Sequence, residues 1–223
     1  NIGEAVAPPA PQKLKGYTSL YNGKDLTGWK NDPGHKGHWQ PRGAVLHYDG
    51  KSTAKDKNLW SEKEYGDMIL AIDWRWAAPA SHKTKRPLLD PKTGEAKKDA
   101  NGKPIILLVD ELDSGIYLRG NNRSQVNLWN WPGGSGEVYG YRTNKNHPQA
   151  IRAALTPKVK ADKPIGEWNR MFIQIKGDRL SVVLNGKKVI ENAQLPGVPK
   201  KGRIALQHHG SAIEFANIAI KEL

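Results

Sequence analysis

The sequence predicts an all-β fold in which two sheets pack face to face, and three observations carry that expectation. Short runs of alternating apolar and polar residues recur along the chain, bounded by Gly, Asn-Gly and Pro signals. No stretch sustains a 3.6-residue apolar period between helix caps. A length of 223 residues suits one β-sandwich domain.

The elements follow in order. Residues 1–13, rich in Pro and Ala, read as a flexible or loosely docked lead-in to a single domain over 14–223. In "DMILAIDWRWA" (67–77), Met68, Leu70, Ile72, Trp74 and Trp76 share one face. "SGIYLRG" buries Ile116 and Leu118 and turns Tyr117 and Arg119 outward. "SQVNLWN" buries Val126 and Leu128 and turns out Gln125, Asn127 and Trp129. Residues 169–192 read as successive hairpins, with Asn185-Gly186 the strongest turn signal. "GRIALQHH" and "AIEFANIAIKEL" supply the last two strands. One segment breaks the pattern: residues 78–112 form a long polar insertion ending in an apolar patch, Ile105 to Val109. Insertions of this length are commonly lids or disordered, and "DPKTGEAKKDANGKP" within it reads as an exposed hairpin.

Composition narrows the function classes. No apolar run approaches the ~18–20 residues of a membrane helix, so no membrane span is expected. Cysteine is absent, which removes disulfides, thiolate metal sites and cysteine nucleophiles. The formal charge of +13 would suit an anionic polymer. The lysines, however, cluster in Pro/Gly/Asp-rich loop text such as "HKTKRPLLDPKTGEAKKDANGK", where they solvate loops, and no nucleic-acid partner is expected. The opening "NIGEAVAPPAPQKLKG" reads as a segment left by signal-peptide removal or trimming, so export to the periplasm or beyond is the expectation.

Three stretches carry a family resemblance: "GYTSLYNGKDLTGWK" (16–30), "SGIYLRG" (114–120), and "GEWNRMFIQIKGDRLSVVLNGKKV" followed by "GRIALQHHGSAIEFANIAIKEL". Together they resemble the 3-keto-disaccharide hydrolase domain family, across roughly residues 16–223. The resemblance implies a concanavalin A-like jelly-roll sandwich with a sheet that holds a carbohydrate, and activity on 3-keto-glycosides. The sequence departs from the family pattern in two further places besides the long insertion. Asp113 replaces the usual Asn before Ser-Gly, and Ser124-Gln125-Val126 stands where "EVQ" is common, which removes a carboxylate.

Strand parity sorts the side chains that could do chemistry. In "RIALQHHG", Ile204, Leu206 and His208 share one parity, while Gln207 and His209 share the other. The two histidines therefore point apart, and His209 matches the single histidine of the family motif. The same sorting gathers Asp73, Arg75, Tyr117, Arg119, Gln125, Asn127, Trp129, Gln207 and His209 onto one polar face. Planar amides and aromatic rings suit sugar hydroxyls and pyranose faces, and Trp129 and Trp131 are stacking candidates. A polar outer face can also be plain solvated sheet. A conventional glycosidase needs two flanking carboxylates, and no strand-spaced pair is evident among Asp73, Glu111, Asp113 and Glu137.

A 3-keto sugar, which the resemblance implies, changes the requirement. Its carbonyl acidifies the C2 hydrogen, so the C1–O bond can break by elimination through an enolate, with water then adding to the enone. His209 is the expected base, Arg119 the enolate stabiliser and Glu137 the acid. Gln207, Gln125, Asn127, Trp129, Trp131, Tyr117, Asp73, Arg75 and Asp113 are expected to hold the sugar. A divalent metal held by His209 with Glu137 or Asp113 is the alternative electrophile. A glycan-binding module without catalysis is the alternative function, because fold does not fix chemistry.

Overall fold

The structure is a computed structural model that describes residues 2 and 4–223. The first strands are β1 (Thr18–Ser19), β2 (Trp39–Arg42), β3 (Val45–Tyr48), β4 (Leu59–Tyr65) and β5 (Met68–Trp76). The insertion holds β6 (Lys83–Pro87), β7 (Leu89–Asp90), β8 (Glu95–Ala96) and β9 (Ile106–Asp110). There follow β10 (Asp113–Leu118), β11 (Asn121–Trp129) and the short helices α1 (Tyr139–Arg142) and α2 (Gln149–Ala154). The chain closes with β12 (Asn169–Lys176), β13 (Arg179–Leu184), β14 (Lys187–Gln194), β15 (Gly202–Leu206) and β16 (Ile213–Glu222).

Two antiparallel sheets result. The larger runs β14-β13-β12-β5-β16-β3-β2, with β1 added on β16, and the smaller runs β11-β10-β15-β4. Their facing sides meet in one core, an all-β jelly-roll sandwich of concanavalin A-like type. Leu70, Ile72, Trp74, Met171, Ile173 and Val182 of the large sheet pack opposite Ile116, Leu118, Val126, Leu128, Ile204 and Leu206 of the small one. Each such buried aliphatic side chain contributes about 1.5–3 kcal/mol of hydrophobic stabilisation. The β13–β14 connection is the Asn-Gly turn that the sequence indicates, with φ of 50° at Asn185 and 78° at Gly186. Positive φ at both centres is what a type I′ hairpin requires.

Three features depart from expectation. The helices α1 and α2 were not foreseen, since four and six residues are too short to show a helical period. The insertion is ordered throughout into two ribbons, β6 with β9 and β7 with β8, of which the second is the hairpin read in "DPKTGEAKKDANGKP". The lead-in, whose Asn1 and Gly3 lie outside the described residues, is held across the outer side of the large sheet. Its carbonyls at Glu4, Val6, Pro9 and Ala10 accept from Arg75, Trp168, Asn217 and Arg170. A cavity of about 480 Å³ lies between this strap and the sheet, floored by Ala71, Phe172 and Ala219.

Candidate active site

The outer side of the small sheet gathers most of the chemistry. Register places Tyr117 opposite Gln125 on one flank and opposite Ala205 on the other, with Trp60 opposite Ala205 beyond. Asp113, Gly115 and Tyr117 therefore run along one face of β10, with Gln207 continuing the same parity from β15. Gln125 Nε2 donates to Gln207 Oε1 at 2.5 Å, and Gln207 Nε2 donates to the Tyr117 hydroxyl at 3.0 Å. This amide relay crosses β10 directly above Gly115. A Cβ at that position would land on the Gln125 amide, so the glycine is needed for space. Gly115→Ala is expected to cost about 1–3 kcal/mol through overpacking, read by denaturant unfolding. An unchanged midpoint would show that Gln125 has somewhere else to go.

Beyond the relay stands an imidazole–carboxylate couple. His209 Nε2 lies 3.7 Å from Asp113 Oδ2, an ion-pair contact longer than a hydrogen bond. Asp113 is 6% exposed, while the His209 side chain is half exposed. Burial pushes the Asp113 carboxyl up to about 6; His209 and Arg86 oppose the rise and Glu111 adds to it. The insertion delivers the last two. Arg86 donates to Glu111 at 2.6 Å and lies over the Trp131 ring at 3.9 Å. Trp131 in turn stacks on Trp129 with centroids 3.8 Å apart.

The raised Asp113 value carries a stability sign. Its charge is less favourable in the folded chain than in the unfolded one. The folded state is therefore relatively most stable below about 3.8 and loses that stability as pH rises through about 6. Asp113→Asn is expected to raise unfolding free energy by about 1–3 kcal/mol at pH 8, with no gain at pH 3. Equal stability of the two proteins at pH 8 would refute this.

Several expected residues fall elsewhere. Asp73 and Arg75 belong to the large sheet. Asp73 is clamped by Arg170 and Asn217, and Arg75 by Glu214 at 2.6 Å. Arg119 is buried at the opposite end of β10, where it donates to the Pro199 carbonyl and to Asp67, and it cannot meet an enolate beside His209. Glu137 is 2% exposed and paired with Arg142, whose Nη1 also holds the Gly94 carbonyl of the β7–β8 ribbon. Asn127 spends its amide on the Glu137 carbonyl, and Trp129 its indole N–H on the Gly134 carbonyl. Gln125, Gln207, Tyr117, Asp113, Trp131 and His209 remain together.

Sequence reasoning missed two neighbours, Arg86 and Trp60, and gave no site role to two that it named, Glu111 and His208. Parity set His208 apart from this face; β15 ends at Leu206 and its pairing with β10 continues to Gln207, whose N–H donates to the Gly115 carbonyl, so alternation does not fix the histidines beyond it. His208 is only partly buried, its Nδ1 meets the Tyr48 hydroxyl, and it lines a cavity together with Tyr117. Of the three side chains expected to hold a metal, Asp113 and His209 stand side by side and Glu137 lies apart, paired with Arg142. Among the described residues no group of three or more His, Asp or Glu side chains could hold an ion. Two donors fall short of a usual catalytic site.

Sandwich and face together define a concanavalin A-like jelly-roll domain with a polar, aromatic-lined outer sheet. The chain belongs to the 3-keto-alpha-glucoside-1,2-lyase-like domain family, whose model matches residues 16–221. Two solved structures from Parabacteroides distasonis ATCC 8503, both provisionally called glycosyl hydrolases, share the fold. One is 20% identical with a TM-score of 0.60, covering 94% of each chain. The other is 23% identical with a TM-score of 0.56, covering 93% of this chain and 99% of that one. No curated protein matches the sequence.

Proposed function

We propose that the domain cleaves the glycosidic bond of 3-keto-glycosides, 3-keto-disaccharides among them, by elimination and hydration. The observation that carries this reading is the His209–Asp113 couple at the open end of the amide relay, with the Arg86 charge nearby. His209 takes the C2 proton, and the electron pair moves into the enolate whose oxygen Arg86 stabilises. Collapse of the enolate expels the C1 oxygen, and the imidazolium returns the proton to it, leaving free sugar and an enone. Water then adds at C1 while C2 regains a proton. The Asp113 carboxylate orients His209 and stabilises its charged form. Membership of the family supports the substrate class.

The test is to incubate the protein with a 3-keto-disaccharide and with its unoxidised parent, following released sugar by NMR. Release from the keto compound alone is expected. Consumption of the parent as well would favour a carboxylate-pair glycosidase built on Glu111 and Asp113, a two-residue spacing that the sequence reading did not count as a pair; Glu111 raises the Asp113 pKa. Retention of both compounds intact, with binding, would identify a glycan-binding module. Metal analysis with turnover before and after chelation tests whether an ion serves in place of Arg86.

A further inference from the structure

A groove of about 590 Å³ opens along β4 and β15, lined among others by Lys30, Asn58, Trp60 and Arg203. It shares Asp32, Asp56 and Asn58 with a second cavity of about 640 Å³, which adds Tyr117 and His208 to the lining. The two are thus one continuous trough, and it reaches the relay at Tyr117. Each part falls in the size range of small-molecule sites, about 300–1,000 Å³.

The trough has the chemistry of a sugar subsite. The Trp60 indole N–H donates to Asp56 Oδ2 at 2.7 Å, which fixes the ring. Trp60 and Tyr117 have centroids 5.5 Å apart and planes tilted by 43°, making an angled aromatic wall. Such a wall offers an apolar surface to the C–H side of a pyranose ring and leaves its hydroxyls for polar neighbours. Asn58 is held by Asp56 and accepts the His208 backbone N–H at 2.9 Å, so Asn58, Trp60 and His208 form one tethered rim. His208 has its Nδ1 on the Tyr48 hydroxyl, which leaves Nε2 as its second polar atom. Burial and the Lys57 charge lower its pKa and favour the neutral ring, whose Nε2 donates to or accepts from a hydroxyl according to the tautomer.

The trough lies on the other side of the relay from Arg86 and Trp131. Asp113 and Tyr117 are four residues apart on β10, about 13 Å at the usual strand rise. A keto ring beside Asp113 and His209 with its C1 substituent running along β10 would bring that substituent to Tyr117 and the trough.

We propose that this trough is the leaving-group subsite, and that it takes a second sugar ring stacked on Trp60. The assignment rests on the proposed 3-keto-glycoside cleavage for its orientation, and it narrows the substrate class to glycosides with a ring-shaped leaving group. Compact leaving groups such as methanol leave the trough empty.

The experiment compares a 3-keto-disaccharide with the matching methyl 3-keto-glucoside in wild type, Trp60→Ala and Trp60→Phe, after thermal melts establish that the variants fold. In Trp60→Ala the preference for the disaccharide, as a ratio of kcat/KM values, is expected to fall about tenfold, equivalent to about 1.4 kcal/mol. The loss should sit in KM, as for binding energy shared by ground and transition states, and Trp60→Phe should recover most of it. An unchanged ratio overturns the subsite. Calorimetry with the disaccharide and with the methyl glycoside, in a His209→Ala background, reads the same contrast without turnover. Trp60-dependent disaccharide binding in a protein that cleaves neither compound would overturn the proposed reaction while leaving the subsite standing. Binding indifferent to Trp60 overturns the subsite whatever the reaction.

Discussion

Glu137→Ala lowers the unfolding free energy by about 3–5 kcal/mol, the cost of leaving one buried charge without its partner. Glu137 is 2% exposed and pairs with Arg142 Nε, while Arg142 also holds the Gly94 carbonyl. Removing the carboxylate strands a guanidinium that cannot shed its proton. At about 2–4 °C per kcal/mol for a chain of this size, the melting temperature should drop by roughly 10 °C. Glu137→Gln keeps an acceptor in place and should cost less. Burial pushes the Glu137 carboxyl upward, against the pull of Arg142, so the remaining acid of an Arg142→Ala variant can neutralise itself. A melt for Glu137→Ala within a couple of degrees of wild type would show that water reaches Arg142.

His209→Ala lowers kcat on a 3-keto-disaccharide by about 10²–10⁴-fold, the usual contribution of a general base. Its partner shapes the pH dependence. Asp113 is raised to about 6, chiefly by burial. It carries the charge that supports the imidazolium only above that pH, so the rate should fall as pH drops below about 6. In Asp113→Asn the maximum rate should fall, because a neutral amide cannot stabilise the charged ring. Added imidazole should restore part of the turnover of His209→Ala, which a purely structural loss would not allow. Turnover of His209→Ala equal to wild type would remove the residue from the mechanism.

Local patterns in the sequence carried much of the fold, and their reach explains where the site reading failed. Alternation in 67–77 put Leu70, Ile72 and Trp74 into the core and turned Asp73 and Arg75 away from it. Alternation identifies the face of a strand but not the sheet it joins, and β5 joined the large sheet, opposite to β10. Arg119 has the outward parity of Tyr117, yet its φ of 55° and the register shift after Tyr117 swing it toward Asp67. Arg86 left no local signal at all. It reaches Trp131 and Glu111 only because β6 pairs with β9, a placement set by tertiary contacts. Gln125, Gln207, Tyr117 and Asp113 could be grouped from sequence because neighbouring strands of one sheet carry them.

The strap over the large sheet has an evolutionary consequence. Arg75, Trp168, Asn217 and Arg170 all grip it through main-chain oxygens at Glu4, Val6, Pro9 and Ala10. Recognition of that kind is indifferent to side-chain identity. At Val6, Pro9 and Ala10 the segment is free to drift in sequence as long as it stays extended and spaced to present its carbonyls, whereas the donors beneath it are not. Substitutions should accumulate on the strap and be rejected in its cradle.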